Sequence, residues 1–152
     1  MSENQPYAHV VGYRFPGGTV TTHSHLTWLW ADAVLAKQDP ELVHPSYVFL
    51  MALQGTGADV YEILGMVDFA PEDGALAGAY EFEFNAPLRP DVNYRVEGQI
   101  TAIERKRGKR MGLLDRLTFV VSVIDPDSDE VAITNTTVWM IPRKEAADAL
   151  AE

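Results

Sequence analysis

The run Arg105-Lys106-Arg107-Gly108-Lys109-Arg110 holds five of the chain's twelve basic residues. Guanidinium and ammonium groups make charge-assisted bonds to phosphate, so Arg105, Lys109 and Arg110 are candidates for a phosphate clamp or an acidic-partner patch. A solvated hairpin turn is the plainer reading. His23 and His25 stand two apart and lack a third ligand in sequence, so no metal site is expected. Asp32 and Glu62 are lone acids on helical segments, expected to be solvated or salt-bridged. Gln54 is the one polar side chain on an otherwise apolar helix, so its amide either braces a sheet or faces a tunnel. Gly55 and Gly57 beside it permit close backbone approach. Thr134-Asn135-Thr136-Thr137 sets hydroxyls and an amide into an apolar strand, lining a polar channel, crossing a subunit interface or reflecting β-propensity alone.

These residues need a frame, and 152 residues suffice for one domain with a real core. Hydrophobic residues make up 47% and charged residues 22%, a globular composition. A net charge of −10 argues against general affinity for nucleic acid or anionic membrane. The absence of cysteine removes disulfides, thiolate catalysis and thiolate-bound zinc. No signal-like start and no apolar run approaching the ~20 residues of a membrane span are present, so a cytoplasmic protein is expected.

The pattern predicts a strand over 9–15 closed by a Pro16-Gly17-Gly18 turn, then a helix over 26–37 capped by Thr22 or Ser24. Leu26, Leu29, Trp30, Ala33 and Val34 would form its buried stripe. A second helix opens at Pro45 and is apolar nearly all round, as a helix enclosed by a sheet must be. Gly55-Thr56-Gly57 breaks it, a helical segment over 59–66 follows, and 68–74 is a loop. Four antiparallel strands are predicted over 76–84, 93–106, 115–124 and 130–141, joined by Pro-, Gly- and Asp-rich connectors. In the second of them Tyr94, Val96, Gly98, Ile100 and Ala102 alternate with polar residues, making one dry and one wet face. Ends of about 1–8 and 144–152 are expected to be flexible, and no internal repeat or linker divides the chain. The fold class is therefore α+β, one domain with a long buried helix wrapped by a curved antiparallel sheet.

That order resembles the hot-dog fold, and within it the MaoC-like (R)-specific enoyl-CoA hydratases and dehydratases. The resemblance rests on Phe84-Asn85-Ala86-Pro87-Leu88-Arg89-Pro90-Asp91 leading into a long strand, and on His44-Pro45 opening the buried helix. It covers about residues 9–143. It implies a lyase of fatty acid metabolism that adds water across an enoyl thioester of CoA or acyl carrier protein, needing no cofactor. In such proteins an Asp and a His share the reacting water, and a helix N-terminal N–H polarises the thioester oxygen. Here Asp39-Pro40-Glu41-Leu42-Val43-His44 keeps an Asp five residues before a His, so Asp39 and His44 are the implied catalytic pair. The family's intervening Asn-Pro and the long insertion before the helix are absent. His44 therefore matches either the catalytic His or the family's second one, and the plain reading is a turn at Asp39 and a cap at His44. Gln54, Gly55 and Gly57 would line the thioester tunnel, and Arg105, Lys109 and Arg110 would hold the phosphates. The resemblance also implies a homodimer, or a heterodimer with a paralogous hot-dog subunit. Its alternatives are a non-catalytic acyl-CoA-binding subunit and a hot-dog thioesterase using Asp32 or Glu62.

Overall fold

The structure is a computed structural model that describes residues 5–110 and 112–143. The expected flexible ends 1–4 and 144–152 lie outside the described residues. Five strands form one antiparallel sheet: β1 (Gly18–Thr21), β2 (Leu76–Phe84), β3 (Asn93–Gly108), β4 (Gly112–Ile124) and β5 (Val131–Pro142), in the order β1-β3-β4-β5-β2. The four long strands sit where alternation and their Pro- and Asp-rich connectors predict. β1 was not predicted. Its four residues pair with Asn93–Val96 directly after the Pro16-Gly17 turn, while 9–15 begins in a 3-10 turn (Ala8–Val10) and meets β3 through a single bridge from Arg14 to Gln99, with the Gly12 and Phe15 amides donating to Ile100 O and Gly98 O.

Helix α1 spans Ser24–Ala33, followed by a 3-10 turn (Pro45–Tyr47), α2 (Val48–Gly55) and α3 (Val60–Gly65). The buried helix is thus shorter than expected. Its Val48, Met51, Ala52 and Gly55 pack on the sheet, whereas Phe49, Leu50 and Leu53 are half-buried and Gln54 is exposed. Close packing decides Gly55. A Cβ there would fall 2.2 Å from Val96 Cγ2, so helix and sheet meet at backbone distance.

The α1 stripe is corrected. Thr27 and Ala31 face inward with Trp30 half-buried, leaving Leu29 and Val34 exposed. The Trp30 indole donates to Ser46 Oγ at 2.8 Å and stacks edge-on against Tyr47, which sets the helix's rotation. The helix ends before Lys37 because Leu35 turns left-handed (φ 56°) and the Ala36 amide closes back on Ala31 O. Its start is held neither by Thr22 nor by its own Ser24. Asp91, itself left-handed at φ 61°, accepts from the Ser24 amide at 3.1 Å and from the Ser24 hydroxyl.

β3 departs from strict alternation once. A bulge between Ile100 and Ala102 inserts Thr101, so Ile103, not Ala102, returns to the core. The same parity change turns Arg105 toward its cross-strand partner Asp115, which is fully buried. Arg105 grips Asp115 with two bonds of 2.8 and 2.9 Å, and Arg143 adds a third at 2.7 Å. Arg143 also donates to Val67 O and Asp68 O, and its guanidinium lies 5.3 Å over the Tyr7 ring. Tyr7 is therefore tied down, although residues 5–8 were expected to be loose.

Candidate functional site

The loop from α1 to the 3-10 turn is fastened by Val43, whose amide donates to Leu88 O at 2.8 Å, both residues being buried. The turn carrying Leu88 is braced in turn by the buried Tyr94, whose hydroxyl accepts from the Arg89 amide at 3.0 Å. Between these two loops, α1 and the start of α2 lies a cavity of about 520 Å³. Thr27, Ala31, Val48, Phe84, Pro87 and Leu88 give it a mostly apolar wall, into which Lys37, Asp39 and His44 bring charge and proton-transfer capacity. A mostly apolar pocket with a few convergent polar groups is what a small-molecule site looks like.

Asp39 and His44 line this one cavity, and both also have the plainer roles. Asp39 Oδ1 accepts from the Glu41 amide at 2.9 Å, a local turn that leaves its second oxygen without a protein partner among the described residues. His44 is the N-cap of the 3-10 turn: its Nδ1 accepts from the Ser46 amide at 3.3 Å and lies 2.8 Å from Ser46 Oγ. The first N–H groups of the turn are all engaged, Ser46 with His44 Nδ1, Tyr47 with His44 O and Val48 with Pro45 O. None of these three is left to polarise a thioester.

No family model and no curated protein sequence matches the chain. Solved structures do match. The ChsH1-ChsH2 complex from Mycobacterium tuberculosis gives a TM-score of 0.67 at 12% identity, over 86% of this chain and 89% of that one. The HadBC (3R-hydroxyacyl-ACP dehydratase) complex from the same organism gives 0.64 at 14% identity, over 86% and 96%. The fluoroacetyl-CoA thioesterase FlK gives 0.59 at 18% identity, over 93% of each chain. The chain has the hot-dog fold.

The hot-dog frame sorts the remaining candidates. Gln54, Gly55 and Gly57 sit at the far end of α2 and do not line the cavity. Gly55 serves packing on Val96, and Gly57 (φ 73°) lies where a Cβ would meet Gly17 O at 2.6 Å. Arg105 is engaged with the buried Asp115 and does not line the cavity. Lys109 and Arg110 are exposed at the β3–β4 turn, whereas the cavity lies beyond the opposite end of β3. Sixteen residues of strand span roughly 50 Å. Within one subunit the basic turn cannot serve this cavity.

Glu62 is the N3 partner of a capping box with Asp59, through bonds of 2.7 and 2.8 Å, and Asp32 is exposed. The His23 and His25 rings stack at 5.9 Å, with His23 Nδ1 3.5 Å from Asp91, and no group of three metal-ligating side chains occurs among the described residues. Hydrogen bonds from Ser24 hold the Asp91 carboxyl below its ordinary value, with His23 adding a smaller share. Asn135 and Thr137 are buried, and the Asn135 amide donates to Glu81 O at 3.2 Å, bracing strand β2. The site residues missed in the sequence are Lys37, Ser46, Trp30 and Phe84. Ser46, two residues past His44, carried a signal as a cap neighbour, and Phe84 opens the motif that carries the resemblance; Lys37 and Trp30 were set by tertiary approach alone.

Proposed function

We propose that this chain is a MaoC-like hydratase or dehydratase acting on enoyl thioesters of CoA or acyl carrier protein. The observation that carries the reading is the presence of Asp39 and His44 on the wall of one apolar cavity beside the start of α2. In hydration, the Asp39 carboxylate takes a proton from water as the oxygen bonds to the β-carbon. The carboxylic acid so formed returns that proton to the α-carbon, while His44 holds the water by a hydrogen bond. Nothing is consumed but water, and dehydration is the reverse. Lys37, the one lysine or arginine on the wall among the described residues, is the available charge for the polarised thioester oxygen.

Assembly belongs to the same reading. Among the described residues β2 closes one side of the sheet with an unpaired edge, and its Leu76, Tyr80 and Phe84 are 51%, 38% and 46% exposed. Pairing this edge with a second hot-dog subunit, identical or paralogous, covers both the backbone groups and these side chains. Antiparallel pairing of β2 with its counterpart sets the Leu76 end of one subunit beside the Phe84 end of the other. The basic turn, on the Leu76 side, then approaches the partner's cavity, so any role of Lys109 and Arg110 with CoA phosphates is exercised across the interface.

A second reading is a non-catalytic acyl-CoA-binding subunit, favoured by the capping and turn-making bonds of His44 and Asp39. Incubation of the purified chain with a panel of enoyl- and acyl-CoAs separates them. Loss of enoyl absorbance supports hydration; binding without turnover, with activity appearing only on addition of a paralogue, supports the subunit reading. Release of free thiol instead would overturn both in favour of a thioesterase.

A further inference from the structure

Two unambiguous donors converge on the His44 side chain and its neighbour. The indole N–H of Trp30 can only donate, so at 2.8 Å Ser46 Oγ must accept from it. Ser46 then has its own hydroxyl proton to place, and His44 Nδ1 lies 2.8 Å away. The Ser46 amide, again only a donor, points at the same Nδ1 from 3.3 Å. A proton on Nδ1 would face that amide and leave the Ser46 hydroxyl without an acceptor in this chain of bonds. In neutral imidazole one ring nitrogen accepts and the other carries the proton.

We infer that Trp30 and Ser46 are positioning residues that lock His44 in the Nε2–H tautomer, so that His44 can only donate a hydrogen bond from Nε2 while Asp39 is the sole base of the pair. The inference rests on the proposed hydration chemistry for its use, but not for its test. A neutral Nε2–H histidine cannot take a proton from water at Nε2, the nitrogen left free of the Ser46 bonds. Its donor hydrogen bond instead orients the water oxygen's lone pair and leaves deprotonation to the carboxylate. The anchor is built between elements. Trp30 belongs to α1 and also packs edge-on against Tyr47 at 5.1 Å, so the tautomer is tied to the docking of α1 on the 3-10 turn.

Long-range nitrogen-15 NMR of uniformly labelled apo-protein reads both ring nitrogens, with His44→Ala assigning the signal among the four histidines. At alkaline pH, His44 should show a larger Nε2–H share than in the same chain unfolded in urea. Ser46→Ala should shift the tautomer ratio toward Nδ1–H by roughly two- to tenfold, the range one neutral hydrogen bond sustains. Trp30→Phe, which keeps the ring but removes the donor, should shift it the same way, and Ser46→Thr should restore it. A wild-type share equal to that of the unfolded chain, or a ratio unmoved by both variants, overturns the inference. Enoyl-CoA turnover is then read separately. The expected tautomer in a chain inactive alone and with a paralogue sustains this inference and sinks the hydratase reading. Full activity with an unlocked tautomer does the opposite.

Discussion

Replacement of Asp115 tests whether the basic run is architecture or binding site. The carboxylate has no exposed surface and accepts three hydrogen bonds from two guanidiniums, Arg143 at 9% side-chain exposure and Arg105 at 29%. In Asp115→Ala, Arg105 can swing into solvent, because its strand continues to an exposed turn. Arg143 cannot; it stays bonded to Val67 O and Asp68 O beneath the Tyr7 ring, a buried charge without its anion. Removing one partner of a buried ion pair costs about 3–5 kcal/mol, against a total stability of roughly 5–15 kcal/mol for a domain. Arg105→Gln should cost less, about 1.5–3 kcal/mol, the worth of hydrogen bonds to a charged group. Urea unfolding at fixed protein concentration measures both as shifts in midpoint at constant slope. Acyl-CoA affinity of the folded Arg105→Gln protein should be unchanged. A loss below about 1 kcal/mol in Asp115→Ala, or a loss of CoA affinity in Arg105→Gln without a change in midpoint, would refute the assignment of Arg105 to the core.

Asp39→Asn and His44→Ala should each lower enoyl-CoA hydration by ~10²–10⁴-fold with acyl-CoA binding retained, measured by enoyl absorbance and by calorimetry. Sedimentation should find an edge-paired assembly that Leu76→Lys with Phe84→Lys takes apart; a wild-type chain that stays monomeric at micromolar concentration with or without a paralogue counts against it. Gly55→Ala, pressing a methyl into Val96, should destabilise by about 1–3 kcal/mol while leaving ligand affinity intact. Asp91 has a folded pKa held below its ordinary 3.8 by Ser24, so its contribution is present above that value and lost as pH falls through the folded one. Asp91→Asn, which tolerates the left-handed backbone, should therefore flatten the acid limb of a midpoint-versus-pH curve and leave no such difference if the Ser24 bonds are unimportant.

The four long strands were legible because each is bounded by residues that cannot continue a strand, as at Ala86–Asp91 and Asp125–Asp129. β1 was not, since Gly18-Thr19-Val20-Thr21 carries one buried apolar side chain and draws its order from the backbone of β3. The α1 face was misread because periodicity counts apolar residues, whereas the Trp30–Ser46 bond and the small side chains of Thr27 and Ala31 decide which side can approach the cavity. Asp39 and His44 were singled out through a resemblance, and their joining on one wall depends on a Val43–Leu88 bond between segments forty-five residues apart. Arg105 defeated the alternation rule for a different reason: one inserted residue reverses the parity of everything after it.

That inserted residue, Thr101, has no register partner across the strand, its hydroxyl merely donating to Thr118 O at 3.3 Å, so its removal would leave every partner from Arg95–Ile124 to Gly108–Gly112 unchanged. What would change is shape. A bulge bends its strand and adds twist, and β3, the longest strand, runs alongside both β1 and β4 where α2 nests. Deletion of Thr101 should straighten the sheet like a removed hinge pin, drawing β1 away from α2 and admitting water at Val96 and Gly55. Curvature in this protein is thus purchased with a single residue that has no register partner of its own, and hydrogen exchange along α2 would report its loss.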